Sequence, residues 1–265
     1  MPFATLGDVR LAYDDEGTGP AVALLHGFPL GRWIWDEPRA ALRDRYRVVT
    51  PDLRGHGESE VTAGPYSMDA LADDVARLLD ALRVDRAVVG GLSMGGYVVF
   101  AFWRRFAARV RALVLCDTRA RGDDRGEKVM RQSTAQVALD QGTAAVVDGM
   151  LPKLLAPHTL GGRPDFTAAI RARLARTDPR AVAATLLGMK ERDDSTPTLA
   201  TISVPTLVLV GSDDQLTPPA LARELAAGIP GARLEVVPEA GHLAPVEQPA
   251  ATSAALRRFL DGLPA

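Results

Sequence analysis

The chain has 265 residues, of which 47% are hydrophobic and 24% are charged, and a mass of 28.2 kDa. This length suffices for a core that needs no metal or disulfide, and the composition excludes a disordered, collagenous or membrane-embedded protein. With 31 basic and 33 acidic residues the net charge is −2, so there is no basic field to attract nucleic acid or an anionic membrane surface.

The predicted elements begin with a β-hairpin, in which strands at Phe3–Leu6 and Val9–Tyr13 flank a Gly-Asp turn. Short apolar runs then alternate with helical patterns and are bounded by Gly, Pro or Asp, as buried strands of a parallel sheet are. These runs are Ala21–Leu25, Tyr46–Thr50, Arg86–Gly90, Arg111–Cys116, Thr206–Val210 and Leu234–Val237. The alternation predicts an α/β fold with a doubly wound, mostly parallel sheet.

Helical spacing is clearest where Leu71, Val75, Leu78 and Leu82 fall on one stripe, and Ser67 is the predicted N-cap of that helix. Other helices are predicted to follow Ser93 and to span Pro219–Ala227 and Pro249–Leu260.

The segment 119–200 interrupts the alternation, because it contains no convincing strand. Its pieces are predicted as helices separated by Gly and Pro, over Glu127–Ala138, Thr143–Leu155, Phe166–Arg176 and Pro179–Arg192. We therefore predict that residues 1–118 and 201–265 form the core, and that 119–200 form a helical cap over the carboxyl edge of the sheet.

The sequence also bears on the cellular compartment. Cys116 is the only cysteine, which excludes an internal disulfide and a multi-thiolate metal site. Residues 1–10 show no basic head followed by an apolar stretch, and the longest uncharged run, 87–103, contains four glycines. These features predict a cytoplasmic protein without a membrane partner.

In open α/β sheets, ligands bind beyond the carboxyl ends of the strands, and there G-L-S-M-G-G at 91–96 joins a predicted strand to a helix. A G-x-S-x-G turn holds its serine with unfavourable backbone angles and presents the hydroxyl at the head of the helix. The Met94 N–H and the helix dipole can stabilise an oxyanion there. Ser93 is thus a candidate nucleophile, although a glycine-rich connection can show the same pattern by chance.

A serine nucleophile needs a base, and the chain has four histidines. His158 lies in the predicted cap, and His56 lies in a turn-rich stretch where a structural role is expected. His26 ends a strand in H-G-F-P, where the Phe28 N–H can face the same oxyanion as Met94 and the His26 ring can support the loop. His242 lies on a loop after the last strand and is the predicted base.

The acid that orients this imidazole has three candidates. The strand at Thr206–Val210 runs into the adjacent carboxylates Asp213 and Asp214, and Asp117 directly follows the strand that ends at Cys116. The positions of these residues along the chain do not by themselves decide which of the three carboxylates is the acid.

Five motifs, spread over nearly the whole chain, together resemble the motifs of a known family. They are H-G-F-P at 26–29, P-D-L-R-G-H-G-E-S at 51–59, G-L-S-M-G-G at 91–96, G-S-D-D-Q-L-T-P-P at 211–219 and A-G-H at 240–242. In this order they resemble the α/β-hydrolase superfamily. The resemblance implies Ser93 as nucleophile, Asp214 as acid, His242 as base, and the amides of Phe28 and Met94 as oxyanion donors.

Further motifs, including T-P-P at 217–219 and E-Q-P at 247–249, are similar to those of enol-lactonase-like hydrolases and the cofactor-free haloperoxidase and arylesterase group. We therefore predict a serine hydrolase of small carboxylic esters or lactones that acts through an acyl-enzyme. No nucleotide-binding motif or paired histidine spacing is present, so no cofactor or metal is expected. The alternatives are a perhydrolase or haloperoxidase-like activity on the same triad, and a ligand-binding receptor with negligible turnover.

Overall fold

The computed structural model describes residues 2–264, so Met1 and Ala265, at the outer ends of the predicted core ranges, lie outside the described residues. The strands are β1 (Phe3–Thr5), β2 (Arg10–Glu16), β3 (Ala21–Leu25), β4 (Arg47–Pro51), β5 (Ala87–Leu92), β6 (Val110–Cys116), β7 (Thr206–Gly211) and β8 (Arg233–Val237). They form one sheet in the order β1-β2-β4-β3-β5-β6-β7-β8.

Only β2 runs against the other strands: it pairs in antiparallel register with β1 and with β4, whereas every neighbouring pair from β4 to β8 is parallel. The predicted hairpin and the mostly parallel sheet are confirmed. β2 continues three residues past its predicted end, because Asp14, Asp15 and Glu16 pair with β4. Arginine neutralises these carboxylates, as in the 2.7 Å ion pair of Asp15 with Arg47.

The helices are α1 (Asp36–Leu42), α2 (Met68–Ala81), α3 (Met94–Phe106), α4 (Arg125–Gln141), α5 (Thr143–Leu154), α6 (Pro157–Gly162), α7 (Pro164–Leu174), α8 (Pro179–Lys190), α9 (Thr196–Leu199), α10 (Pro219–Gly228), α11 (Ala244–Glu247) and α12 (Pro249–Asp261). The predicted helices are confirmed, and the Ser67 hydroxyl caps α2 by accepting from the Ala70 N–H at 3.1 Å. Four short helices, α1, α6, α9 and α11, were not predicted from the sequence, because they have seven residues or fewer and too few turns to show a period.

The sheet is covered by helices on both faces, since alternate residues of each strand enter different hydrophobic clusters. Ala23 and Leu25 pack on one side, with α2 and α3, and Val22 and Leu24 on the other, with α1 and α12. This doubly wound arrangement brings the carboxyl ends of β3, β5, β7 and β8 to one edge, where the candidate site residues follow them.

All six helices from α4 to α9 lie between β6 and β7, and residues 119–200 contain no strand. The first of them, α4, begins with a capping box in which Asp124 and Glu127 each bond the other's backbone N–H. It packs along α8, where Lys190 donates to Gln132 at 3.0 Å. Within residues 2–264, no helix combines the length and apolar character needed to cross a membrane.

Candidate active site

Ser93 occupies the one-residue connection between β5 and α3 in a strained conformation, with φ of 55° and ψ of −114°. Its surroundings hold it there: its N–H donates to the Cys116 carbonyl at 2.9 Å, and the Thr118 hydroxyl donates to the Ser93 carbonyl at 2.7 Å. The Ser93 hydroxyl makes no capping hydrogen bond to α3. The tight turn requires glycine at 95, because a Cβ there would lie 2.5 Å from the Leu25 carbonyl oxygen.

The amides of Phe28 and Met94 lie on the loop after β3 and at the first residue of α3. Neither N–H donates to an acceptor within residues 2–264, although both residues are buried. Unpaired buried N–H groups are costly, so two of them beside Ser93 are suited to an oxyanion.

His26 orients the peptide that carries the Phe28 amide. The Leu53 N–H donates to His26 Nε2 at 2.9 Å, so the ring proton is on Nδ1, which donates to the Gly27 carbonyl at 2.7 Å. The Gly27 carbonyl and the Phe28 N–H belong to one planar peptide and point in opposite directions. Fixing the carbonyl therefore fixes the direction of the N–H.

Asp214 and His242 meet beyond the ends of β7 and β8. Nδ1 of His242 lies 2.9 Å from Oδ2 of Asp214, and both side chains are buried. The carboxylate also accepts the N–H groups of Leu216 and Thr217 on Oδ1, at 2.8 and 2.9 Å, and the Thr217 hydroxyl on Oδ2 at 2.6 Å. With four donors around it, Asp214 is held as an anion in one orientation.

The pKa of Asp214 follows from these contacts. Burial by itself would raise it, but the positive charge of protonated His242 and the hydrogen bonds from His242 and Thr217 outweigh burial. The pKa of this carboxyl is therefore well below its usual range, and Asp214 stays ionised at neutral pH.

The two other candidate acids have different surroundings. Asp213 is 40% exposed and lies 3.8 Å from the exposed ring of His158. Asp117 is fully buried, and burial together with the negative charge of Asp214 raises its pKa well above the usual range. Of the three, only Asp214 hydrogen-bonds the His242 ring.

Ser93, Phe28 and His242 line one cavity of about 510 Å³. The apolar part of its wall comes mainly from helices of the 119–200 segment and consists of Met130, Met150, Leu154, Leu186, Met189 and Leu216. No hydrogen bond joins the Ser93 hydroxyl to His242 among the described residues. Such bonds are often long in unliganded enzymes and tighten when substrate binds.

A larger cavity of about 670 Å³ lies elsewhere and is lined by Arg32, Trp33 and Arg173 among others, but by none of the predicted site residues. Cavity size therefore does not select the site here. The smaller cavity is lined by the candidate nucleophile Ser93, by the His242 imidazole that Asp214 orients, and by Phe28, and for this reason we take it as the candidate active site.

One wall of the candidate site is a charged cluster that the sequence analysis missed. Asp123 is buried and accepts from Arg119 at 2.7 Å, from Arg192 at 2.6 Å and from Arg131. Glu127 pairs with Arg119 at 2.6 Å. Glu127 also pairs with Arg121 at 3.0 Å. Of this cluster, Arg119, Arg131 and Glu127 line the cavity, so two guanidinium groups and one carboxylate belong to its wall.

Two further supporting residues were missed, Thr217 with its contact to Asp214 and Glu247. The buried Glu247 carboxylate accepts the N–H groups of Gly241 at 2.9 Å and Ala156 at 2.8 Å. It thereby ties the residue before His242 to the 119–200 segment. Both residues lie in motifs named above, T-P-P at 217–219 and E-Q-P at 247–249, but these motifs do not show which groups the two side chains contact.

Three side chains could offer ligands to a metal ion within residues 2–264: one atom each of Asp117, Asp214 and His242 lies within 4.8 Å of the others. The Asp214 oxygens already accept four hydrogen bonds and the His242 Nδ1 already faces Asp214. These atoms are therefore already engaged in hydrogen bonds, and the donor set does not fit a cation.

Comparison with known proteins identifies the family to which this fold belongs. Residues 20–249 match the model of the α/β hydrolase fold family. A thermophilic esterase from Thermogutta terrifontis superposes with a TM-score of 0.95 and 44% identity over 98% of this chain and 96% of its own. The enol-lactonase from Burkholderia xenovorans LB400 superposes with a TM-score of 0.91 and 33% identity over 98% and 100% of the two chains.

Among characterised sequences, 3-oxoadipate enol-lactonase 2 from Acinetobacter baylyi is 32% identical over 261 residues, which cover 96% of each chain. The chain belongs to the α/β-hydrolase family. This membership confirms the fold and the enzyme class that the five motifs predict.

Proposed function

We propose that this protein is a serine hydrolase that cleaves small carboxylic esters or lactones through a covalent acyl-enzyme. The observation that carries the proposal is the 2.9 Å hydrogen bond between His242 Nδ1 and Asp214, made beside the cavity that Ser93 lines. A buried carboxylate in this position keeps the imidazole in the tautomer that accepts a proton on Nε2, and it stabilises the imidazolium that forms.

In the proposed mechanism, His242 accepts the Ser93 proton as Oγ attacks the carbonyl carbon of the substrate. The oxyanion of the tetrahedral intermediate accepts hydrogen bonds from the N–H groups of Phe28 and Met94. The intermediate collapses when the imidazolium gives its proton to the leaving alkoxide, and the acyl group remains on Ser93. Water deprotonated by His242 then releases the acid by the same steps in reverse order.

The substrate class is inferred from the cavity and from the relatives. A volume of about 510 Å³ suits a small molecule, and Met130, Met150 and Met189 give its wall flexible thioether side chains that can adapt to different acyl groups. Two of the similar proteins are named enol-lactonases and one an esterase. In this proposal residues 119–200 act as the cap that selects the acyl group, and residues 1–118 and 201–265 carry the catalytic core.

The test is hydrolysis of p-nitrophenyl acetate and butyrate by the natural protein and by Ser93→Ala. We expect the variant to lose about 10³-fold or more in kcat, because the acyl-enzyme can no longer form. Ser203→Ala, at an exposed serine outside the cavity, is the matched control and should retain activity. Equal rates for the natural protein and Ser93→Ala would contradict the proposal.

A further inference from the structure

Asp117 lies beside the Asp214–His242 pair but takes no part in the proposed mechanism. Its φ of 44° is unusual for a residue other than glycine, and its N–H donates to the Leu209 carbonyl at 2.8 Å. Its Oδ1 accepts the Gly211 N–H at 2.8 Å, and its Oδ2 accepts the Cys116 thiol at 3.1 Å. The side chain is thus fixed by β6 on one side and β7 on the other.

Two buried carboxyl groups therefore share one small volume. One oxygen of Asp117, one oxygen of Asp214 and a ring nitrogen of His242 all lie within 4.8 Å of one another. The three residues are 0%, 3% and 2% exposed. Two negative charges at this separation repel strongly in a buried environment, so the doubly ionised pair is unfavourable and protonation of one carboxyl is favoured.

The hydrogen-bond donors decide which carboxyl carries that proton. Asp214 receives four, including the His242 ring, and these stabilise its ionised form. Asp117 receives one amide and one weakly donating thiol. The groups that face Asp117 from the neighbouring elements are Cys116 on β6, Asp214 after β7 and His242 after β8.

We propose that Asp117 is the protonated member of a carboxylic acid–carboxylate pair with Asp214, and that it is a positioning residue for His242. The directions of the two pKa shifts agree with this assignment. Burial and the charge of Asp214 raise the pKa of Asp117, whereas the pKa of Asp214 is lowered. A neutral Asp117 leaves one negative charge opposite the imidazole, and its O–H can donate to Asp214. The effect on His242 rests on the proposed function, but the protonation itself does not.

The first experiment measures the proton through folding stability. Unfolded aspartate is ionised above about pH 5, so folding takes up one proton at Asp117 and the natural protein loses stability as pH rises toward the folded pKa. Asp117→Asn has no such loss. In urea unfolding between pH 5 and pH 7, we expect the unfolding constant of the natural protein, divided by that of Asp117→Asn, to rise tenfold per pH unit.

A ratio that stays constant over this range would overturn the proposal, because it would mean that Asp117 is ionised in both states. Asp213→Asn, at the neighbouring half-exposed carboxylate, is the control for removing an aspartate from this edge of the sheet. These measurements need no turnover, so they remain decisive even if Ser93 proves not to be the nucleophile.

The second experiment is infrared spectroscopy at pH 7 together with steady-state kinetics. The carbonyl band of a protonated carboxylic acid should be present in the natural protein and in Asp213→Asn, and absent in Asp117→Asn. Asp117→Ala should lose kcat that Asp117→Asn largely restores, and the acidic limb of kcat/KM in Asp117→Asn should keep its natural pKa. Absence of the band, or a lower pKa in Asp117→Asn, would show that Asp117 carries a charge.

Discussion

Nδ1 of His242 and Oδ2 of Asp214 are joined by a 2.9 Å hydrogen bond between two side chains that are almost completely excluded from solvent. An imidazole in this contact has its proton on Nδ1 and a free Nε2, which is the state required of a general base. The sequence positions of the two residues are 28 apart, and the sheet brings them together because both follow neighbouring parallel strands.

Asp214→Asn should lower kcat by about 10³–10⁴-fold, because an amide cannot hold the same tautomer or offset the imidazolium charge. KM for p-nitrophenyl butyrate should change little, since Asp214 does not line the cavity. Asp213→Asn is the matched control and should retain near-natural kinetics. A loss of less than tenfold in Asp214→Asn would argue that another residue is the acid.

Thr217→Val should lower kcat about tenfold, because it removes the 2.6 Å hydroxyl donor to Asp214, and hydrogen bonds to charged groups contribute about 1.5–3 kcal/mol. Thr217→Ser restores the hydroxyl and should recover most of the activity. Kinetics of the two variants, compared after circular dichroism confirms folding, check this expectation. Equal loss in both variants would indicate that packing and not the hydroxyl is responsible.

Gly27→Ala should impair the oxyanion loop without unfolding the protein. The added Cβ would lie 2.9 Å from Leu92 Cδ2 and 3.1 Å from Ser93 Cβ, so the loop that carries the Phe28 amide must shift. Because misplacing one oxyanion donor typically costs about 10²–10³-fold, we expect kcat to fall by about 10². Gly149→Ala, which meets no atom within 4 Å, is the control, and similar activity in both variants would contradict the assignment.

The lowered pKa values of two buried histidines predict how the stability of the protein depends on pH. Burial is the main cause that lowers the pKa of His26 to about 4 and that of His56 to about 3. Both lie below the ordinary value of 6.5, so the unfolded chain binds more protons than the folded one as pH falls. The contribution of these two histidines to stability should be complete above pH 6.5 and decline from there toward pH 4.

His56→Asn keeps a donor for the Arg54 carbonyl, which His56 Nδ1 contacts at 3.0 Å, but cannot titrate. Thermal unfolding between pH 7.5 and pH 4.5 should therefore show a shallower decline in Tm for this variant, even if its Tm at neutral pH is lower. His158→Asn, at an exposed ring, should follow the natural curve. Parallel curves for His56→Asn and the natural protein would rule out His56 as a source of the decline.

The sheet and the long helices were predictable from the sequence, because runs such as those of β3 and β5 are continuously apolar and α2 has a regular stripe. The motifs also led to Ser93, Asp214 and His242, whose roles stay predictions. The support for these residues was not predictable. Glu247 reaches Ala156 across 91 positions, and Asp117 reaches Gly211 across 94, so these contacts exist only once separate loops have come together.

Mass spectrometry after reaction with a fluorophosphonate can show directly whether Ser93 is the nucleophile. Such a reagent forms a stable bond with a serine that a neighbouring base activates, and stability of the adduct allows the site to be mapped by peptide digestion. We expect a single adduct on the peptide that contains Ser93, and none in Ser93→Ala. An adduct on another residue, with hydrolysis undiminished in Ser93→Ala, would contradict it.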